Sequence, residues 1–248
     1  RAATRLRAPV MLMSGPGEFP LLPATLHARV ARAVAEDFDL PAAPHLDHGN
    51  SMEQVAECIE AGFTSVMLDF SARPYAENAA ALRQVAALAQ GRGVCVEGEI
   101  GAVGRVDDVT VEGAKASTLT EPDEAQRYAE ETGVDLLAVS IGNAHGIYTR
   151  LPRFDFDRLE RIHRAVRAPL VLHGGSGTSP EDLRRAISLG IAKVNVASEL
   201  CKAVKDRLAE AWSSGRARWV PETFAEAMPA YEEVALKWIR LCGAEGRA

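Results

Sequence analysis

With 248 residues, 47% of them hydrophobic and 25% charged, the chain is long enough to bury a sizeable core and matches the length of one α/β barrel of about 250 residues. A formal net charge of −6 argues against a nucleic-acid partner, whose usual footprint is a basic face, but leaves room for an anionic small molecule held by local donors. No apolar run approaches the roughly 20 residues that span a membrane, no signal-peptide pattern opens the sequence, and four scattered cysteines (Cys58, Cys95, Cys201, Cys242) read as free thiols of a cytoplasmic protein.

In chain order, Arg1 to Arg7 reads as the end of a helix leading into a first strand pattern, Ala8–Met13. An amphipathic stretch around His27 follows, and six more strand patterns come after it: Ala43–Leu46, Ser65–Phe70, Val94–Ile100, Leu136–Ile141, Pro169–Leu172 and Lys193–Val196. Most are continuous Val/Ile/Leu runs, the mark of parallel strands covered on both sides. Helical patterns alternate with them. Ser51–Ala61 opens on Ser51 as N-cap, Tyr75–Gln90 is Ala-rich, and Thr120–Thr132 begins with the capping pattern Thr120-Glu121-Pro122-Asp123. Asp155–Val166 and Ser179–Leu189 follow the same plan, the latter with Pro180 at its first helical position.

Strand then helix throughout predicts a parallel sheet with helices outside, a TIM (β/α)8 barrel, as one domain over 1–248. Seven strand patterns stand where a closed barrel has eight, so a first strand and helix are expected to be missing from this chain. Residues 198–248 are expected to form a C-terminal helical extension, with one helix over Glu199–Leu208 and another carrying Tyr231, Val234, Ala235, Trp238 and Ile239. All three tryptophans (Trp212, Trp219, Trp238) fall in it. That aromatic surplus suits either a second subunit or packing on its own barrel.

Three strand patterns lead to a histidine followed by glycine: His48-Gly49, His145-Gly146 and His173-Gly174. Strand ends of a parallel barrel converge on one face, where the active sites of that fold lie. Three neutral imidazoles there make a site for Zn²⁺ with an open coordination position. His27 and His163 have no site around them, and His45, two residues before Asp47, reads as a barrel-interior residue. Asp47, beside His48, either orients that ligand, acts as acid/base on a bound substrate, or begins a solvated turn; its tight placement favours catalysis. His173-Gly174-Gly175-Ser176-Gly177 and Asn195-Val196-Ala197-Ser198 offer backbone N–H groups, hydroxyls and a helix N-terminus, which suit a phosphate at the loops after the last two strands.

Glu97 and Glu99 share one face of a strand, with Asp69 at the end of the preceding one. Such carboxylates need a cation, a lysine or arginine, or backbone donors. After Glu99 a glycine-bearing stretch runs to about Ser117, a candidate lid in which Asp107 or Asp108 either brings a base to the substrate or is solvated.

Taken together, these segments resemble the class II, zinc-dependent ketose-bisphosphate aldolases of the fructose and tagatose branch over almost the whole chain, through to the tail Cys242-Gly243-Ala244-Glu245-Gly246-Arg247-Ala248. The resemblance implies a lyase that cleaves a ketose 1,6-bisphosphate to dihydroxyacetone phosphate and glyceraldehyde 3-phosphate through a zinc-stabilised enediolate. It implies His48, His145 and His173 as zinc ligands and Asp47 as the acid. Asp69 and Glu99 fall to a neighbouring cation or to the surroundings of the zinc. Gly146, Gly174, Ser176, Asn195 and Ser198 fall to the phosphate end, with Ser14 as a further polar contact. No Schiff-base lysine is required. Relatives carry Gly-Gly-x-Glu-Asp in the mobile loop; here Gly104-Arg105-Val106-Asp107-Asp108 lacks the glutamate, so Asp107 is the expected base. The alternatives are a catalytically impaired phosphosugar- or metal-binding relative and an aldolase with a different aldehyde partner. Expected partners are a phosphosugar and a second copy, as homodimer or homotetramer, with no nucleic acid and no membrane.

Overall fold

The computed structural model describes residues 1–105, 118–148, 152–215 and 219–248. Seven strands form one curled sheet in which every neighbouring pair is parallel. They are β1 (Val10–Ser14), β2 (Ala42–Gly49), β3 (Ser65–Leu68), β4 (Cys95–Ile100), β6 (Leu136–Val139), β8 (Leu170–Leu172) and β9 (Ile191–Val194), adjacent in that order. Two short strands, β5 (Gly104–Arg105) and β7 (Ala144–His145), pair with each other outside that sheet. The TIM-barrel-like α/β fold follows, with β1 and β9 as the sheet's two edges.

Between the strands lie α2 (Ala24–Asp37), α3 (Met52–Ala61), α4 (Tyr75–Ala89), α5 (Pro122–Thr132), α6 (Phe156–Ala165) and α7 (Pro180–Ser188). Each buries one stripe. On α4, Ala79, Leu82, Val85 and Ala89 recur at helical spacing. They join Leu46, Val66, Leu137, Leu170 and Leu172 in one hydrophobic cluster between sheet and helices. The caps at Ser51 and Ser179 form as the sequence requires, accepting from the backbone N–H of Gln54 and Asp182. Thr120 does not cap α5. Its hydroxyl instead accepts from the Ser140 N–H at 2.8 Å and bonds the Ile100 carbonyl, tying the end of β4 to the end of β6, and the helix starts two residues later at Pro122.

The extension forms α8 (Ser198–Ser213) and α9 (Val220–Leu241), which pack against each other. The final residues fold back on α1 (Ala2–Leu6): the Gly246 N–H donates to Leu6 and the Ala248 N–H to Arg7. Of the three tryptophans, Trp238 is buried, whereas Trp212 and Trp219 are exposed. Among the described residues no helix is long and apolar enough to cross a membrane.

Candidate metal and catalytic site

The site begins with an irregularity in β2. In a regular strand Asp47 and His48 point to opposite faces. Here the β2–β3 register shifts between Leu46 and Gly49, and His48 takes the left-handed backbone conformation (φ 49°). Such a bulge re-aims side chains, and both residues now reach the same neighbourhood. Gly49, expected as a turn residue, is instead required by close packing. A Cβ there would lie 2.5 Å from the Met67 carbonyl, so strand contact rather than a positive φ demands glycine.

His48 donates through Nδ1 to Asp69 Oδ2 at 2.8 Å, and Asp69 Oδ1 is held by the Ser71 hydroxyl and N–H. His173, just beyond β8 and fully buried, donates through Nε2 to Glu97 Oε1 at 2.8 Å. Each carboxylate thereby fixes its histidine and turns the second ring nitrogen inward, so that His48 Nε2 and His173 Nδ1 face each other at 2.9 Å. His145 packs edge-on against both rings, at centroid distances of 4.8 and 5.7 Å. It stands on β7 rather than at the end of a main-sheet strand, and pairing with Arg105 in β5 holds it there. One potential ligand atom from each of His48, His145 and His173 lies within 4.8 Å of the others. This donor set, three imidazoles oriented by acceptors behind them, fits a divalent transition metal.

The electrostatics agree with that orientation. Burial and the neighbouring His48 and His173 lower His145 to about 3, which keeps its ring neutral. Burial works against charge on His48 too, but the Asp69 hydrogen bond and the carboxylates of Asp47 and Glu99 raise it to about 9. A cation at His48 therefore competes with a proton, which makes its binding weaken as pH falls. Burial would raise Asp69; its bonds to His48 and Ser71 hold it far below the usual carboxylate range.

Asp47 accepts from Asn195 Nδ2 at 2.8 Å, and the same amide nitrogen lies 3.3 Å from His173 Nε2. Asp47 thus sits beside the histidine cluster with its side chain partly open to solvent. Glu99 is buried and close to His48 and Asp69, and its Oε2 has no hydrogen-bond partner. Burial and the Asp69 charge raise its pKa, opposed by His173 and His48.

In the loop after β8, Gly174 has a positive φ of 65°, and a Cβ there would lie 2.0 Å from the Ala144 carbonyl. Only glycine lets the loops after β7 and β8 come this close. Gly146 also takes a positive φ. Ser176 is buried and its hydroxyl accepts from the Glu199 N–H, which sets the loop against the start of α8 at Ser198. Ser14, the last residue of β1, bonds His27 Nδ1 at 2.9 Å, so His27 does have a polar neighbour at the site's edge. Asp107 and Asp108 lie outside the described residues.

Several members of this site carry no local sequence signal. Tyr148 Oη accepts from the Ala144 N–H and lies 3.0 Å from the Gly174 carbonyl, clamping the two histidine loops together. Buried Asn143 donates to the His173 carbonyl at 3.0 Å. Glu199 accepts from the Gly177 N–H and from the Trp238 indole, joining the loop to α9.

A family model described as fructose-bisphosphate aldolase class-II matches residues 1–247. Among solved structures, the YdjI aldolase from Escherichia coli K12 is similar at 33% identity with a TM-score of 0.84, over 100% of this chain and 86% of that one. A candidate fructose-1,6-bisphosphate aldolase from Coccidioides immitis is similar at 29% identity and TM-score 0.86, with the same coverage. A fructose-bisphosphate aldolase from Campylobacter jejuni, 20% identical with a TM-score of 0.82 over the same shares, shares the fold.

Proposed function

The chain belongs to the class II fructose-bisphosphate aldolase family and is an aldolase, a carbon–carbon lyase; on that premise we propose that it reversibly cleaves a ketose 1,6-bisphosphate of the fructose or tagatose type. The products are dihydroxyacetone phosphate and glyceraldehyde 3-phosphate, and the metal held by His48, His145 and His173 is Zn²⁺. The observation that carries this reading is the cluster of inward-facing histidine nitrogens beside a carboxylate, Asp47, that is held by Asn195 but open to solvent. A divalent metal there supplies Lewis-acid stabilisation for the carbanion that carbon–carbon cleavage leaves behind.

The chain's own residues do the rest. Asp47 takes the proton from the hydroxyl adjacent to the breaking bond during cleavage and returns it to the aldehyde oxygen in synthesis. Asn195 keeps Asp47 in place. Gly146, Gly174, Ser176 and Ser198 line the narrow gap between the β7 and β8 loops and the N-terminus of α8, where backbone N–H groups suit a phosphate dianion. Ser14 adds a hydroxyl from the opposite edge. Asp107 carries the proton to and from the carbon that stays with the phosphate. The unpartnered Oε2 of Glu99 supports a second cation position beside Asp69.

For assembly as a homodimer or homotetramer the support is a stripe of exposed apolar side chains on α9, Val220, Phe224, Met228 and Tyr231, with Trp212 of α8. Sedimentation of the purified chain reports its mass. A cytoplasmic location is supported by the four free thiols.

A coupled cleavage assay on fructose 1,6-bisphosphate and tagatose 1,6-bisphosphate, with chelator and zinc add-back, tests the reading. Cleavage lost to chelator and restored by zinc is expected, and the rate ratio names the preferred ketose. Absence of cleavage of both by zinc-loaded protein would overturn the substrate assignment and point to a different aldehyde partner.

A further inference from the structure

We propose that Lys193, a residue with no place in the chemical steps of that reaction, is the positioning residue that sets the geometry of Asp47; the inference rests on the aldolase reading for its kinetic meaning and on geometry for its content. Lys193 lies on β9 with its side chain 10% exposed, one layer below the histidine cluster. Its Nζ donates to Asn195 Oδ1 at 2.7 Å and to His45 Nε2 at 3.4 Å, and forms an ion pair with Glu97 Oε2 at 2.9 Å that lies off the hydrogen-bonding direction. An ammonium has three donors and no acceptor. Whatever faces it must therefore present a lone pair.

That requirement propagates. The Asn195 amide has one oxygen and one nitrogen, and its oxygen is committed to Lys193. Its Nδ2 must then point the other way, where it donates to Asp47 Oδ1 at 2.8 Å. The flipped amide would set N–H against ammonium and carbonyl oxygen against carboxylate, two repulsive contacts in place of two bonds. His45 is constrained likewise: with Nε2 accepting from Lys193, its Nδ1 donates to Ser65 Oγ at 2.8 Å. The third partner, Glu97, is the carboxylate that orients His173. One buried cation thus polarises both the amide that holds the acid and the carboxylate that holds a metal ligand. Lys193 reaches these groups only from behind, and Asn195 stands between it and Asp47, so it acts through them.

The test combines kinetics with a readout that needs no turnover. In the zinc-loaded full chain, Lys193→Met should lower kcat roughly 10–100-fold, the loss typical when a supporting partner is removed, with KM for the ketose bisphosphate changed by less than about twofold. In an Asp47→Asn background the same substitution should cost much less, because the group it positions through Asn195 is already gone and only the share that runs through Glu97 is left. Independently, the Asn195 side-chain amide signals in nitrogen-15 NMR, assigned by their loss in Asn195→Ala, should move and exchange faster in Lys193→Met. Should the unpaired Glu97 charge prevent folding, Lys193→Met combined with Glu97→Gln removes both charges and keeps a group against His173. Equal losses in both backgrounds, or unchanged Asn195 amide signals, would overturn the proposal. Wild-type protein that cleaves neither ketose would instead overturn the substrate assignment, with the amide signals still deciding the role of Lys193.

Discussion

Glu97 and Glu99 stand two residues apart on β4 and are both buried inside the curled sheet, yet their surroundings differ in kind. The layer around Glu97 is closed by charge: its Oε2, like Glu99 Oε2, has no hydrogen-bond partner among the described residues, but it lies 2.9 Å from the Lys193 ammonium. Its carboxylate meets the Lys193 ammonium, accepts from His173, and lies 3.7 Å from His45 Nε2. Burial alone would raise its pKa, but Lys193 and His173 hold it well below the usual carboxylate range. The layer around Glu99 is left open: one oxygen accepts from the Val103 N–H, the other has no hydrogen-bond partner and only the His173 ring at 3.7 Å, and its pKa moves upward. A buried carboxylate paired with an internal cation holds geometry, whereas one at the same depth that, among the described residues, has no lysine or arginine beside it marks where a cation from outside belongs. His173 joins the two, with Nε2 in the lower layer and Nδ1 in the upper.

Removing the joint should have the largest effect. His173→Ala is expected to abolish tight zinc binding and turnover together; metal content after dialysis measures the first, and retention of one zinc per chain would break the three-histidine assignment. Breaking the charge-paired layer should strike folding next. Glu97→Ala leaves Lys193 buried and unpaired and is expected to cost about 3–5 kcal/mol in urea unfolding of the metal-free protein. A loss below about 1 kcal/mol would mean that water reaches this layer and screens its charges.

Acid should dissolve the lower layer at a defined pH. Burial and Lys193 lower His45 from its ordinary value of 6.5 to about 4. The folded state therefore binds fewer protons than the unfolded chain in that window, so His45 contributes stability in full above about pH 6.5 and loses it as pH falls to about 4, on the order of 3 kcal/mol. The depressed pKa of Glu97 acts in the same direction at still lower pH. Unfolding midpoints between pH 7 and 4 measure the slope, and His45→Gln should reduce it, leaving the share of His145, whose lowered pKa acts in the same direction. The smallest effect on folding is expected at the open layer: Glu99→Gln should leave metal-free stability unchanged or higher, because it removes a buried charge with a raised pKa. The same change should weaken a second cation about 10–100-fold, read by calorimetric titration with zinc. A large folding loss from Glu99→Gln would erase the contrast between the layers.

Much of this was legible in the chain. Val/Ile/Leu runs alternating with capped helices specify a parallel sheet, and all seven main strands fall within a few residues of their patterns. The histidine-glycine pairs mark loop positions that converge once the sheet curls, and His45 belongs to the interior layer that its spacing from Asp47 suggests. What escaped the sequence has a common physical cause. The bulge at Asp47-His48 arises from pairing with β3, so strand periodicity alone would have sent these side chains apart. The β5–β7 ladder is two residues long on each side, too short for any period to show. Tyr148 and Glu199 gain their meaning chiefly from partners 22 to 39 positions away, and Lys193 matters only because Asn195, two residues on, reaches Asp47 148 positions away; an isolated residue type announces none of these.

A crystal of the zinc-loaded chain, measured on both sides of the zinc absorption edge, is the sharpest test of the three-histidine site. The strongest anomalous peak is predicted about 2.0–2.1 Å from His48 Nε2 and His173 Nδ1, with a His145 nitrogen as third ligand. Zinc bound through Asp69 in place of His145, or elsewhere on the chain, would contradict that assignment.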